Sequence, residues 1–243
     1  MSDKSANQPQ TEDPLAYLFT KTVKCPVCEK EFIDFAVRKS KLRAINTDTD
    51  YRTHYKDIDP NHYEVLLCSF CGYAALDSSF SRITSRQQDM VKEKITPNHK
   101  PVEYPVPYSP QDVLTRFKKA LECANAIDAK LSQKAVICLK TAWVYRDMGD
   151  QKNETLFLRG AYKGFSDAYT TENFPMAGMD EHTAKYMMAE LARRVGLTED
   201  ALRLISDVVV ARGIRGGLKE RALALKEMIR ESESDEVKTE NVM

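Results

Sequence analysis

The sequence predicts an α+β protein that is mostly α. It should hold a small four-cysteine β module of the zinc-ribbon kind and an α-helical tetratricopeptide-like array. Three observations predict this. Two CxxC pairs, Cys25/Cys28 and Cys68/Cys71, sit in a segment of short alternating apolar runs, with 39 residues between them. From about residue 109 to 230, apolar residues recur at helical spacing between legible helix starts and stops. Between the two halves, Pro97, Pro101, Pro105, Pro107 and Pro110 fall within 14 residues, which forbids helix and removes ladder donors.

The expected organisation follows the chain. Residues 1–17 have almost no apolar content and read as a disordered arm, and 231–243 read as an acidic disordered tail. Between them lie a metal-binding module at 18–96, a proline-rich linker at 97–108 and a helical domain at 109–230. In the module, Thr22–Lys24 and Phe32–Val37 read as strands around the first cysteine pair, and Tyr63, Val65 and Leu67 alternate into the second. A helix is expected over about 80–95. Ser109, Pro110 and Asp112 then supply an N-cap, a first-turn proline and an acid, and Val113, Phe117, Leu121 and Ala124 follow as a stripe. Further helices are expected around Ala135–Tyr145, Phe157–Ala168, Asp180–Gly196, Thr198–Ala211 and Leu218–Arg230. Gly196 followed by Ala201, Ile205 and Val208 fits a tetratricopeptide register. Gly149 fits it in part, since Glu154 stands where alanine is usual.

Composition limits the function. The 36 Lys+Arg against 36 Asp+Glu give a formal net charge of zero, unlike a polybasic nucleic-acid protein. That zero joins unlike parts: the two ends are net acidic, and the body 18–230 is mildly basic. No run approaches the roughly 20 apolar residues that cross a bilayer, and the N-terminus lacks the apolar core of a secretory signal. A cytoplasmic location without a membrane partner is therefore expected. Six cysteines in that compartment point to metal ligands or core thiols rather than disulfides.

Two CxxC turns place four sulfurs around one ion, and a tetrahedral thiolate shell suits zinc, with iron as the alternative. Cys25, Cys28, Cys68 and Cys71 are the assigned ligands. Four thiolates leave no open coordination position, so the expected use is structural. Gly72 is the only glycine among the first 148 residues and directly follows Cys71, which suggests a backbone need for positive φ. Cys123 and Cys138 lie on apolar helix stripes and read as core thiols.

The segment between the knuckles holds two further candidates. Arg38, Lys39, Lys41 and Arg43 form a basic patch that could contact nucleic acid or a partner, though Asp48, Asp50, Asp57 and Asp59 follow closely enough to cancel its field. Asp48, Asp50, Arg52 and His54 form a candidate polar site. It is not an EF-hand, because Arg52 and Thr53 stand where an oxygen ligand and glycine are required. His54 and His62 read by default as surface or packing histidines. No Walker loop, GxGxxG, GxSxG or HExxH occurs, and no catalytic residue is assigned.

The runs KCPVCEKEF, VRKSKLR, DTDYR and YEVLLCSFCGYAAL, with TAWVYRDMGD, ETLFLRGAY and AELARRVGLTEDAL beyond them, resemble the bacterial family known as domain of unknown function 2225. The resemblance runs from about residue 20 to 230. It implies a bacterial cytosolic protein with a metal knuckle module and tetratricopeptide-like helices, and it carries no activity. Ser69 departs from the proline that such proteins often place there. The functional expectation is a metal-stabilised interaction or scaffold protein. Tyr145, Arg146, Arg159 and Tyr162 would line a surface for a protein partner. An enzyme built on the Asp48–His54 segment and nucleic-acid binding through 38–43 are the alternatives.

Overall fold

The computed structural model describes residues 13–214 and 216–240, with the backbone alone for 233–240. The β part is three separate antiparallel hairpins rather than one sheet. β1 (Leu18–Lys24) pairs with β2 (Glu31–Val37), β3 (Ala44–Thr47) with β4 (Thr53–Tyr55), and β5 (Val65–Leu67) with β6 (Ala74–Leu76). The first and third hairpins turn at the cysteines. Cys25–Cys28 joins β1 to β2, and Cys68–Cys71 joins β5 to β6, so each CxxC pair is held at the tip of a ladder.

The helices are α1 (Asp77–Phe80), α2 (Ser85–Lys94), α3 (Pro110–Ala126), α4 (Leu131–Asp147), α5 (Gln151–Thr171), α6 (Glu181–Arg194), α7 (Thr198–Val210) and α8 (Gly216–Glu240). Local chemistry sets their starts. Thr84 and Gln87 form a capping box on α2, and Ser109 and Asp112 form another on α3, where Pro110 takes the first helical position. Asp150 and Asp180 cap α5 and α6. Gly149 and Gly196 take φ of +71° and +79° at the turns after α4 and α6. Ala201, Ile205 and Val208 of α7 are completely buried.

Two apolar cores result, and the first crosses the proline-rich segment. It joins Leu18, Phe32, Val65, Tyr73 and Phe80 to Tyr108, then to Val113, Leu114 and Phe117 of α3 and Val144 of α4. The second lies among α4 to α8. Val136 and Phe157 pack against both. The segment 97–108 therefore does not divide the core as a linker between 18–96 and 109–230 would. Its Tyr108 is buried and stacks on Tyr63 at 5.0 Å, so the extended chain contributes a core ring.

The two ends also differ from expectation. Residues 1–12 of the arm lie outside the described residues. Pro14–Tyr17 forms a 3₁₀ turn capped by Asp13, with Tyr17 buried. At the other end α8 continues to Glu240 where a tail was expected from Glu231, because Glu231–Glu240 contains no glycine or proline to stop it. Residues 241–243 lie outside the description.

Candidate metal centre and polar clamp

The four cysteines converge, and their two turns are built alike. In the first, the Cys25 N–H donates to Lys30 O at 2.9 Å and the Glu29 N–H to Cys25 O at 2.9 Å. In the second, the Cys68 N–H donates to Tyr73 O at 2.9 Å and the Gly72 N–H to Cys68 O at 3.0 Å. Glu29 and Gly72 thus hold the same left-handed position, at φ of +61° and +77°. The glycine at 72 answers a second need. A Cβ there would stand 2.7 Å from the His99 ring, whereas Glu29 is exposed. The sequence shows why positive φ is wanted at Gly72, but not what presses on it.

The Sγ atoms of Cys25 and Cys71 are 3.6 Å apart and those of Cys28 and Cys68 are 3.7 Å apart. All four lie within 4.8 Å of one another. Thiolates about 2.3 Å from one tetrahedral ion would be about 3.8 Å apart, so the donor set fits a metal ion. The cysteines are not disulfide-bonded. Cys25 and Cys68 are fully buried, Cys71 is nearly so, and Cys28 is half-buried. Hydrogen bonds from Cys25 and Cys71 lower the Cys68 thiol far below its usual value, while sharing with Cys68 and burial push Cys25 up to about 12. Four thiolates packed this closely would repel one another. A divalent cation would supply the charge that lets all four ionise.

The second turn is strapped from three sides. The His99 Nε2 lies 2.9 Å from Ser69 O, the Thr96 hydroxyl donates to Cys71 O at 3.1 Å, and Cys123 of α3 meets the Gly72–Ala74 backbone. The Ala74 N–H donates to the Cys123 sulfur at 3.3 Å, and that thiol donates to Gly72 O at 3.6 Å. Cys123 is thus a core thiol with a specific role: it docks α3 against the turn. Burial pushes it and Cys138 up to about 11. His99 and Thr96 were not singled out from sequence, where only the unusual Gly72 pointed to this place.

Asp48, Asp50, Arg52 and His54 also come together, but away from the cysteines. They lie at the β3–β4 turn against α4 and α6, whereas the second cysteine turn lies against α3 and 96–99. Asp50 is completely buried and accepts from Trp143 Nε1 at 3.1 Å and Arg146 Nη2 at 2.6 Å, with Arg194 Nε at 3.5 Å. Burial pushes its carboxyl up, but Arg146, Arg194 and Trp143 together hold it below the ordinary carboxylate range. Asp48 accepts from Arg146 Nη1 at 2.8 Å and lies 2.9 Å from His54 Nε2. Arg52 donates to Asp59 and, at 2.6 Å, to Asp147. Thr49 completes the attachment: its hydroxyl donates to the buried Glu190 at 2.5 Å, and its carbonyl accepts from Tyr186 at 3.0 Å. Arg221 of α8 lies over the Tyr51 ring at 5.1 Å. The segment is a polar clamp in which each acid faces an arginine.

Asp59, His62 and Asp147 form a second group with ligand geometry, but the Arg52 guanidinium already bridges its two carboxylates. The basic residues Arg38, Lys39, Lys41 and Arg43 are exposed around a 3₁₀ turn at Lys39–Lys41. Arg38 packs over Phe19 at 5.6 Å and Lys41 over Tyr17 at 5.2 Å. The expected cancellation by nearby aspartates fails for Asp48, Asp50 and Asp59, which pair with Arg146, Arg194 and Arg52 instead. Of the residues expected to face a partner, Tyr145 is buried against Phe157 and Arg146 belongs to the clamp. The Tyr162 hydroxyl bonds to Asp200 at 2.9 Å, and Arg159 is exposed.

Comparison with known proteins bears on the whole of this arrangement. The model of an uncharacterised family conserved in bacteria, domain of unknown function 2225, matches residues 18–235. The chain belongs to this family. The match takes in both cysteine turns, the clamp and all eight helices up to the last turns of α8. Neither the curated proteins nor the solved structures hold a match to the chain. Family membership therefore supplies no activity. Among the described residues, no helix is long and apolar enough to cross a membrane.

Proposed function

We propose that the chain is a metal-stabilised scaffold that binds a protein partner, with a structural zinc ion held by Cys25, Cys28, Cys68 and Cys71. The supporting observation is the four-sulfur shell, three of whose cysteines are buried, which leaves no open coordination position for substrate or water. When bound, the ion would cross-link the two hairpin tips, which also meet where Lys30 lies over the Phe70 ring at 4.9 Å. The rest of the chain transmits that order. Thr96, His99 and Cys123 bind the second turn, α3 continues the same core, and the clamp at 48–52 fastens the module to α4, α6 and α8. Arg159 and Leu156 of α5 stay exposed and are available to a partner.

Cobalt substitution tests the metal reading. A tetrahedral four-thiolate spectrum unchanged by added azide is expected. A spectrum that shifts with azide would reveal an open position and refute the structural role. Iron with visible absorbance in the protein as purified would overturn zinc.

A second reading has its own support. Arg38, Lys39, Lys41 and Arg43 are exposed beside the partly exposed Phe19, and Asp48, Asp50 and Asp59 do not neutralise them. This fits contact with nucleic acid. Such binding should weaken steeply with salt and be lost when all four bases are replaced by glutamine. Binding indifferent to either change would exclude it.

A further inference from the structure

A cavity of about 580 Å³ opens between β2, the second cysteine turn, the 98–104 segment and α3. That volume lies in the range of small-molecule sites. One wall is aromatic and apolar, from Phe35, Tyr104, Tyr108 and Val102. The polar part centres on Arg116, which is only 4% exposed. Its guanidinium lies 4.5 Å from the Tyr108 ring centre and 5.7 Å from that of Tyr104.

Arg116 is incompletely satisfied. Its Nη2 alone serves Asp34, at 2.9 and 2.7 Å, and Val65 O at 2.6 Å. Its Nε is buried with no acceptor. Among the described residues, Nη1 also has no protein partner. Asp34 is shared, since its Oδ1 also accepts from the Tyr108 hydroxyl at 2.8 Å and from the Phe35 N–H at 2.8 Å. A buried donor without an acceptor is destabilising, and a guanidinium left with free N–H groups beside a cavity favours an incoming acceptor. The lining adds Lys100 and Glu103, while Lys119 already pairs with Glu122 at 2.9 Å, so the donors left unmet at the cavity are those of Arg116.

We propose that this cavity binds a small organic carboxylate with a flat aromatic body. Its carboxylate would meet Arg116 and Lys100, and its ring would lie among Tyr104, Phe35 and Val102. Nothing in the scaffold reading requires such a ligand. Because Ser69 and His99 also line the cavity, the ligand would lie against the strapped cysteine turn.

The test is isothermal titration of the metal-loaded full chain with naphthalene-2-carboxylate and, in parallel, naphthalene-2-carboxamide. Saturable one-to-one binding is expected for the acid, and the amide should bind about tenfold more weakly for loss of one charge-assisted pair. Arg116 also holds Asp34 and Val65, so the blocking variant is Val102→Trp, at a side chain that is 54% exposed. It should fill the cavity mouth and reduce affinity at least about tenfold while the melting temperature stays unchanged. No saturable binding at millimolar acid overturns the proposal, as does equal binding of acid and amide. Binding by Val102→Trp equal to that of the parent would place the ligand elsewhere and also overturn it.

Discussion

Replacing Asp50 separates a structural clamp from a catalytic site. Asp50→Ala removes a completely buried carboxylate that accepts from Trp143 at 3.1 Å and Arg146 at 2.6 Å. Breaking a buried ion pair from one side typically costs about 3–5 kcal/mol, because the other charge stays desolvated. Here Arg146 keeps Asp48 at 2.8 Å and Glu154 at 2.7 Å, and Arg194 keeps Glu190 at 2.5 Å, so the lower end, about 3 kcal/mol, is expected. Asp50→Asn retains an acceptor for the indole N–H and should cost less, about 1–2 kcal/mol. Urea unfolding followed by circular dichroism measures both, with Arg146→Ala and the double variant closing a cycle. A strong favourable coupling between the two positions is expected. An Asp50→Ala protein as stable as the parent, or additive behaviour in the cycle, would refute the clamp.

The same carboxylate makes stability depend on pH. Its folded value lies below its unfolded value of about 3.9, so its contribution is complete above that pH and is lost as pH falls toward the folded value. Asp50→Asn should therefore flatten the acid limb of the stability curve, and an unchanged limb would assign the dependence elsewhere. Gly72→Ala should destabilise by more than the roughly 1–2 kcal/mol of a left-handed residue, since its Cβ would also meet His99 at 2.7 Å. Glu29→Gly, at the equivalent but exposed position, should instead be neutral or stabilising by up to about 1 kcal/mol; thermal melts of the two variants must move apart. Cys123→Ala should lower stability through the lost bonds to Gly72 and Ala74 while metal content stays the same, and loss of metal would make Cys123 part of the site.

What the sequence revealed was local. The spacing of Cys25, Cys28, Cys68 and Cys71 needed only the geometry of a turn, and Ser109, Pro110 and Asp112 announced the start of α3 because a cap is a contact within four residues. The fate of Asp48–His54 was not legible in the same way. Those side chains meet Trp143, Arg146, Glu190 and Arg194, which lie about a hundred residues on or more, and no periodicity records such a pairing. The same limit hid the Asp34–Arg116 pair and the His99 strap. The proline run was read as non-helical from Pro97 to Pro110, yet Pro97 lies in a 3₁₀ turn at Thr96–Asn98 and Pro110 opens α3; nor do prolines say that Tyr108 between them is buried. The acidic end misled for a different reason: charge suggested a solvated tail, whereas a run free of glycine and proline allows α8 to continue.

The central claim is that one metal ion in the four-cysteine shell organises a core that runs on into the helices. The most direct test is elemental analysis of untagged protein, paired with unfolding before and after chelation. The account predicts one zinc per chain. It also predicts that chelation melts the tertiary signal of the cysteine module and of α3 together in one transition. A metal-free protein that unfolds at the same temperature with and without chelator would contradict it.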